Sequence, residues 1–518
     1  MRIYILFVLL LLSTTINAQS KFVFNNGAEP DTLDPQLISG LSEMRLAEAL
    51  YEGLLSYNPK NLTPQAGVAK SWKISQDGLH YTFYINPNAK WSDGTPVTAY
   101  DFVLSWQRAL TVATAASYVN LFFIIDNAQK FYKGKINSFS KVGIYAKDPL
   151  TLKVKLSKPC SYFLDLMAFV AFYPIRIDLL DKYKTKWTQP KNLVTNGAFT
   201  LDQWNSRQSI ILIKNRHYWD AKNVKLDKVV ALAYDDINTA YKMFLEGSID
   251  WLPAIPTQQI DEIKLNPDYY VSPYLGTYFY RFNITKKPFD NVHFRRALIY
   301  ATDRQSITKN LLKGGQKAVS SFCPPVAGYH PVEGCYYNPT KARQELKKSG
   351  YGAVGKKLPP IEILYNTSES HKQIAETIAS QWKQVLGIDV ISRNQEWKVY
   401  LSETKKLHYQ VARSSWIGDY GDPSTFFSIF RGNDSNNRTG WNNSKYNKLL
   451  NQAQTETNPK KRLQLFQQME LLLVKTDPPI LPIYRYVNQG MLREYVMGWY
   501  ENIRDIHPMK YIYLDKTN

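Results

Sequence analysis

Residues 361–392 read IEILYNTSESHKQIAETIASQWKQVLGIDVIS. This stretch holds a complete strand–helix–strand unit. IEILYN, at 361–366, is short, apolar and rich in β-branched residues, as a buried strand requires. Ser368 offers an N-cap oxygen. From there Ile374, Ile378, Trp382 and Val385 recur at helical spacing on one face, through Leu386. Gly387 can end the helix in a left-handed conformation, and IDVIS at 388–392 reads as the next strand. Strands joined in this way run parallel with a right-handed crossover. Ligands in such sheets bind beyond the carboxyl ends of the strands. His371, in the first helical turn, stands at that edge. A further strand near 409–413 delivers Arg413, Trp416 and Asp419 close by.

Mixed α/β patterning extends along the chain. LHYTFYI (79–85) alternates as a strand does. VTAYDFVLSWQRAL (97–110) reads as a helix opened by a capping box of Thr98 and Asp101, with Phe102, Val103, Trp106 and Leu110 as its core stripe. Asn458 caps and Pro459 opens a later helix, which leads to the Pro-rich strand PPILPIYRY. The 518 residues suffice for two or three domains. No repeat, low-complexity run or long linker separates them, so domains end in ordinary turns or are assembled from discontinuous pieces.

The first 18 residues, MRIYILFVLLLLSTTINA, place Arg2 before a ten-residue apolar run, too short to span a bilayer, and a small-residue cleavage site. We expect export, with cleavage after about Ala18. No cysteine follows the apolar run, which argues against a lipoprotein. Cys323 and Cys335 flank a short loop, CPPVAGYHPVEGC, and an oxidising compartment predicts a disulfide between them, with Cys160 left as a small core residue. The formal net charge is +20, or +19 without Arg2. No basic run exceeds three residues, so the charge reads as a spread, solvated surface and not as a nucleic-acid interface.

Residues 411–430, VARSSWIGDYGDPSTFFSIF, pose the chemical question. Asp419 and Asp422 lie among Trp416, Tyr420, Phe426, Phe427 and Phe430. They read as an acid–base pair, metal ligands, turn residues or the partner of a buried cation. Asp-Pro and Gly favour the turn for Asp422. There is no Gly-x-Ser-x-Gly elbow, His-Glu-x-x-His helix or Walker loop, and the seven histidines are scattered. We therefore expect neither enzyme nor metal or cofactor. Aromatics make up 14% of the chain, with 36 tyrosines and 12 tryptophans. Such residues offer contact area with few rotamers to freeze, although an aromatic core would show the same composition.

Four segments together carry a family resemblance. They are EPDTLDPQ (29–36) with YEGLL (51–55); PQAGVAKSWKISQDGLHYTFYINPNAKWSDGTPVTAYDF (64–102); YFYRFNITKKPFDNVHFRRAL (278–298); and NQEWKVYL (394–401) with VARSSWIGDYGDP. In this order, behind an export signal, the chain resembles the periplasmic oligopeptide-binding proteins of ABC importers over essentially its whole mature length. The resemblance implies a two-lobed, hinged α/β fold with an additional domain and mixed sheets flanked by helices. Its expected boundaries are 19–51, 179–275 and 500–518 for a discontinuous lobe I, 52–178 for domain II, and 276–499 for lobe III. It implies a periplasmic monomer that closes on short peptides and then docks on a membrane-embedded permease.

Site roles also follow from the resemblance. Asp419 matches the aspartate that pairs with a peptide α-ammonium, because a buried cation needs an opposite charge. Arg413, with its bidentate fork, and His371 match groups that meet the peptide carboxylate. Trp397 and Trp416 match pocket aromatics. Tyr118 and Tyr274 match tyrosines near the ligand, and Trp499 or Tyr500 another aromatic. Ser39 to Leu41 matches a segment that pairs with the peptide main chain. Two positions depart from the pattern. Thr404, before Lys405 and Lys406, stands where relatives carry an arginine. Ile417 and Gly276 stand where some relatives form a disulfide. The competing expectations are a binding protein for murein peptides or another peptide-like solute, and a periplasmic chaperone that grips extended segments.

Overall fold

The computed structural model describes residues 20–516 except 28, 39, 353–357, 359, 433, 435 and 457, and leaves out the side chains of residues 257, 369, 397 and 398. The expected signal segment 1–18, Ser39 and the Trp397 side chain lie outside the described residues.

A single large mixed sheet of eleven strands organises the chain. In chain order its principal members are β1 (Lys21–Asn25), β2 (Phe199–Asn205), β3 (Ser209–Lys214), β4 (Lys228–Leu232), β5 (Trp251–Leu252), β6 (Tyr269–Phe282), β7 (Ile361–Asn366), β8 (Val390–Gln395), β9 (Val411–Ile417) and β10 (Ile480–Leu492). Across the sheet they run β8-β7-β9-β6-β10-β5-β1-β4-β3-β2, and Lys317–Ala318 pairs with β10 off this path. A separate four-stranded antiparallel sheet lies within residues 69–155, and there the strand 79–85 and the helix 97–110 appear as expected, at His80–Ile85 and Ala99–Ala109.

The opening stretch folds as its sequence dictates. Strand β7 spans Ile361–Asn366, and Ser368 caps the helix Glu369–Leu386, accepting from the His371 N–H. Gly387 ends that helix at φ +71°, where a β-carbon would be strained. β8 begins at Val390, two residues later than expected, and pairs in parallel with β7. Ile374, Ile378 and Trp382 are buried and Val385 is partly so. β9 pairs in parallel with β7 and antiparallel with β6.

Hydrophobic cores divide along this sheet. One large cluster gathers residues from Phe22 to Trp251 with Val496, Met509 and Ile512, and takes in Tyr420 from across the molecule; a satellite gathers Ala240 to Ile263 with Met491. Three others draw only on residues between Leu275 and Ile483 or its neighbours. This division makes the molecule two-lobed. The long strands β6 and β10 run from one core to the other, and their ladder breaks between Pro273 and Thr277.

The cysteine expectation needs correction: Cys160, Cys323 and Cys335 are all free and buried. Cys323 packs in the cluster of Phe322 and Phe430, where its thiol donates to the Pro324 carbonyl at 3.4 Å. Cys335 packs in a different cluster with Leu346 and Ile361. The loop between them is short in sequence, but its ends enter separate cores.

Candidate functional site

The β9 strand lays out the site. Arg413 opposes Tyr280 and Ile417 opposes Gly276 across β6. A β-carbon on Gly276 would come within 2.3 Å of the Ile417 side chain, so the isoleucine occupies the space that the glycine leaves open. Beyond Ile417 the chain turns at Gly418 and reaches Asp419.

Asp419 lines a cavity of about 280 Å³ together with Leu41, Tyr118, Tyr274, Glu48 and Arg504, among others. Thr425 fixes its position. The Thr425 hydroxyl accepts from the Asp419 N–H at 3.1 Å and from the Trp416 indole N–H at 3.3 Å, and its proton points to the Asp419 carboxylate 3.5 Å away. One donor and two acceptors complete what a hydroxyl can do. Burial pushes the Asp419 carboxyl up to about 6, against the opposing pull of Arg504. No salt bridge to Asp419 forms among the described residues; Arg504 instead donates to its backbone carbonyl at 3.2 Å. Arg504 is held by Asp165 at 2.9 Å and lies 4.9 Å over the Tyr57 ring. Tyr118 meets Phe169 edge-on at 5.0 Å, and burial, followed by the Asp419 charge, pushes its hydroxyl up to about 12.

A second centre surrounds Arg413, which is buried. Its guanidinium donates to Asn366, at the carboxyl end of β7, at 3.3 Å and to the Tyr486 hydroxyl at 3.1 Å, and sits 4.7 Å over the Tyr278 ring. No carboxylate pairs with it among the described residues. Tyr278 contacts His371 Nδ1 at 3.2 Å. Burial and the neighbouring Arg413 charge push His371 down to about 3, so it is neutral here. An aromatic cage thus holds one uncompensated cation beside a neutral imidazole, at the strand edge anticipated from the sequence.

The remaining candidates are distributed unevenly. Leu41, Tyr118 and Tyr274 join Asp419, and His371 joins Arg413. Trp416 braces Thr425 and is not among the cavity-lining residues. Trp499 stacks on His507 at 4.1 Å within the first lobe's core, and Tyr500 is exposed beneath Lys60; neither lines the cavity. Their place is taken by Arg504, Asp505 and Ile506, which sequence reasoning missed together with Arg45 and Glu48. An alternating charge pattern in MRLAEAL, at helical spacing, was the available signal for the last two. Asp422 is more than a turn acid. It caps Ser424 and is buried in a bidentate pair with Arg462, at 2.7 and 2.8 Å. At Thr404, which is buried, Arg438 approaches from another element and donates at 3.3 Å. A larger cleft of about 890 Å³ opens beyond Arg504, Asp165 and Gly421.

The family model for bacterial extracellular solute-binding proteins, family 5 middle region, matches residues 63–438. The oligopeptide-binding protein OppA of Bacillus subtilis is 36% identical over 499 residues, covering 94% of this chain and 90% of its own. The periplasmic murein peptide-binding protein MppA of Escherichia coli is 36% identical over 516 residues, covering 97% and 95%. Among solved structures, a periplasmic oligopeptide-binding protein of Borrelia burgdorferi superposes with a TM-score of 0.83 at 34% identity, covering 96% of this chain and all of that one.

Proposed function

The chain belongs to the family-5 bacterial extracellular solute-binding proteins, and from that premise we propose that it captures short peptides between its two lobes and hands them to a membrane-embedded ABC permease. The observation that carries the reading is the Asp419 carboxylate, without an ion-pair partner among the described residues, facing a cavity of about 280 Å³. A protonated α-amine supplies the missing charge. Arg413 receives the peptide carboxylate, and the adjacent His371 gains a reason to protonate once that negative charge arrives. Tyr118, Tyr274 and Leu41 exclude water from the amine and so strengthen its pairing.

In this reading residues 19–51, 179–275 and 500–518 move as lobe I with domain II at 52–178, and 276–499 as lobe III. The broken ladder between β6 and β10 is the flexing point, since a local loss of pairing lets strands bend. The first 18 residues direct export to the periplasm, where the mature chain acts as a monomer. Family members bind solutes and are not enzymes; no catalytic role is assigned to any residue.

The decisive experiment is mass spectrometry of whatever denaturation releases from protein purified under native conditions. Short peptides with free α-amines support the proposal. A cell-wall tripeptide would assign the murein-peptide alternative, and unfolded polypeptide the chaperone alternative.

A further inference from the structure

The amine pocket holds more negative charge than one ammonium can use. Five charged side chains line the 280 Å³ cavity: Arg45, Glu48, Asp419, Arg504 and Asp505. Both guanidiniums are already committed. Arg45 pairs with Asp505 at 2.5 Å. Arg504 pairs with Asp165 at 2.9 Å and spends its second nitrogen on the Asp419 carbonyl and the Tyr57 hydroxyl. Asp505 additionally binds His507 at 3.0 Å. Lys510, on the wall of a small void behind Glu48, is bound to Glu52 at 2.7 Å. Two carboxylates, Asp419 and Glu48, are left without an ion pair among the described residues.

Glu48 reaches the cavity by helical geometry. Leu41, Met44, Arg45 and Glu48 occupy one stripe of the helix Leu41–Leu50, and all four line the cavity. Burial pushes the Glu48 carboxyl up to about 7, against the pull of Arg504 and Arg45. With Asp419 assigned to the α-ammonium, Glu48 remains a part-buried acid beside the ligand's first residue.

We propose that Glu48 is a specificity-determining residue that receives a cationic side chain on the first residue of the bound peptide. The ligands favoured are peptides that begin with lysine, arginine or ornithine. This rests on the peptide reading above. A dication at the amine end satisfies both free carboxylates, whereas a neutral first side chain leaves Glu48 desolvated and unpaired. Selectivity is that difference.

Titration calorimetry on the full-length mature chain, stripped of ligand, tests it with Lys-Ala-Ala and norleucine-Ala-Ala, which have similar first side chains with and without charge. The unmodified protein should bind the lysine peptide at least ~10-fold more tightly, the low end for a partly desolvated charge pair. Glu48→Gln should bring the ratio of the two affinities toward one, while Asp419→Asn weakens both peptides. Equal affinities in the unmodified protein overturn the role of Glu48 and leave peptide capture standing; that arm needs no variant. A ratio unmoved in Glu48→Gln protein of intact circular dichroism overturns it as well. If neither peptide binds the unmodified protein, the peptide reading itself fails.

Discussion

The carboxylate of Asp165 accepts the backbone N–H of Gly421 at 2.7 Å, across 256 residues of chain. Its other oxygen holds Arg504 at 2.9 Å. Around this point Tyr162 stacks on Tyr420 with centroids 4.0 Å apart, Ser161 meets Asp422 at 3.2 Å, and Lys158 meets Gln454 at 2.8 Å. The wall of the Asp419 cavity is therefore tied to a segment far away in sequence. Asp165→Ala should leave Arg504 buried and unpaired. Breaking such a pair costs about 3 kcal/mol, read as a lower urea midpoint at unchanged m-value. Peptide affinity should fall with it, because the Asp419 loop loses its tether.

Asp419 is predicted to trade stability for binding. Its folded carboxyl, at about 6, lies above its ordinary value. The folded state thus holds the proton more tightly than the unfolded one, and ionisation above pH 6 is a destabilising event. That rise to about 6 corresponds to at most ~3 kcal/mol. Asp419→Asn should therefore raise the melting temperature of ligand-free protein at pH 7 and lose that advantage below pH 4. The same substitution should weaken a free-amine peptide by about 2–5 kcal/mol. In the unmodified protein, affinity should decline as pH falls through 6, because the ammonium binds only the ionised carboxylate. A variant that neither melts later nor binds more weakly would contradict both halves.

Thiol counting gives a direct check on the cysteines. Ellman titration of unfolded, unreduced protein should find three free thiols, and native protein should react slowly because all three are buried. Burial pushes the Cys160 thiol up to about 12 and Cys323 well above its ordinary value, so neither offers a thiolate at neutral pH.

These outcomes mark how far the sequence could be read. The unit 361–392 was legible to its caps because Ser368, the Ile374–Ile378–Trp382 stripe and Gly387 are local signals. His371 was placed at the carboxyl edge of β7 by the same local logic, whereas the strand expected near 409–413 runs over Val411–Ile417, so Arg413 stands inside β9. The disulfide expectation failed because loop length says nothing about which core each end enters. Asp422 was read as a turn acid because its partner, Arg462, is 40 residues away. Arg45 and Glu48 share one helical stripe that their spacing could show, but Arg504 joins them only through the tertiary fold, and no spacing within one segment announces that.

Closure can be measured in solution. Among the described residues, β6 and β10 are the strands of the large sheet that run between the two sets of cores, and their ladder is interrupted between Pro273 and Thr277. Small-angle scattering should show a smaller radius of gyration with bound peptide than without. An unchanged radius, with binding confirmed by calorimetry, would count against hinge closure.

The last prediction concerns ligand length. Asp419 lies six residues beyond Arg413 along β9 and the turn that follows it. At ~3.3 Å per residue that separates the two centres by about 20 Å or less. An extended peptide advances by a similar step, so with its amine fixed at Asp419 its carboxylate comes to Arg413 within about six residues at most. Arg413→Ala should then cost most for peptides of about that length. The buried guanidinium sits in an aromatic cage with no carboxylate among the described residues, so a matching ligand loses a desolvated charge partner, about 2–5 kcal/mol. A dipeptide, whose carboxylate stops short, should lose little. Acetylating the amine should weaken every length in unmodified protein and blunt the length dependence, since the register is no longer fixed. Calorimetry over a di- to hexapeptide series, free and acetylated, separates these effects. A cost that is the same at every length would show that Arg413 supports the fold of the pocket and does not read the peptide's end.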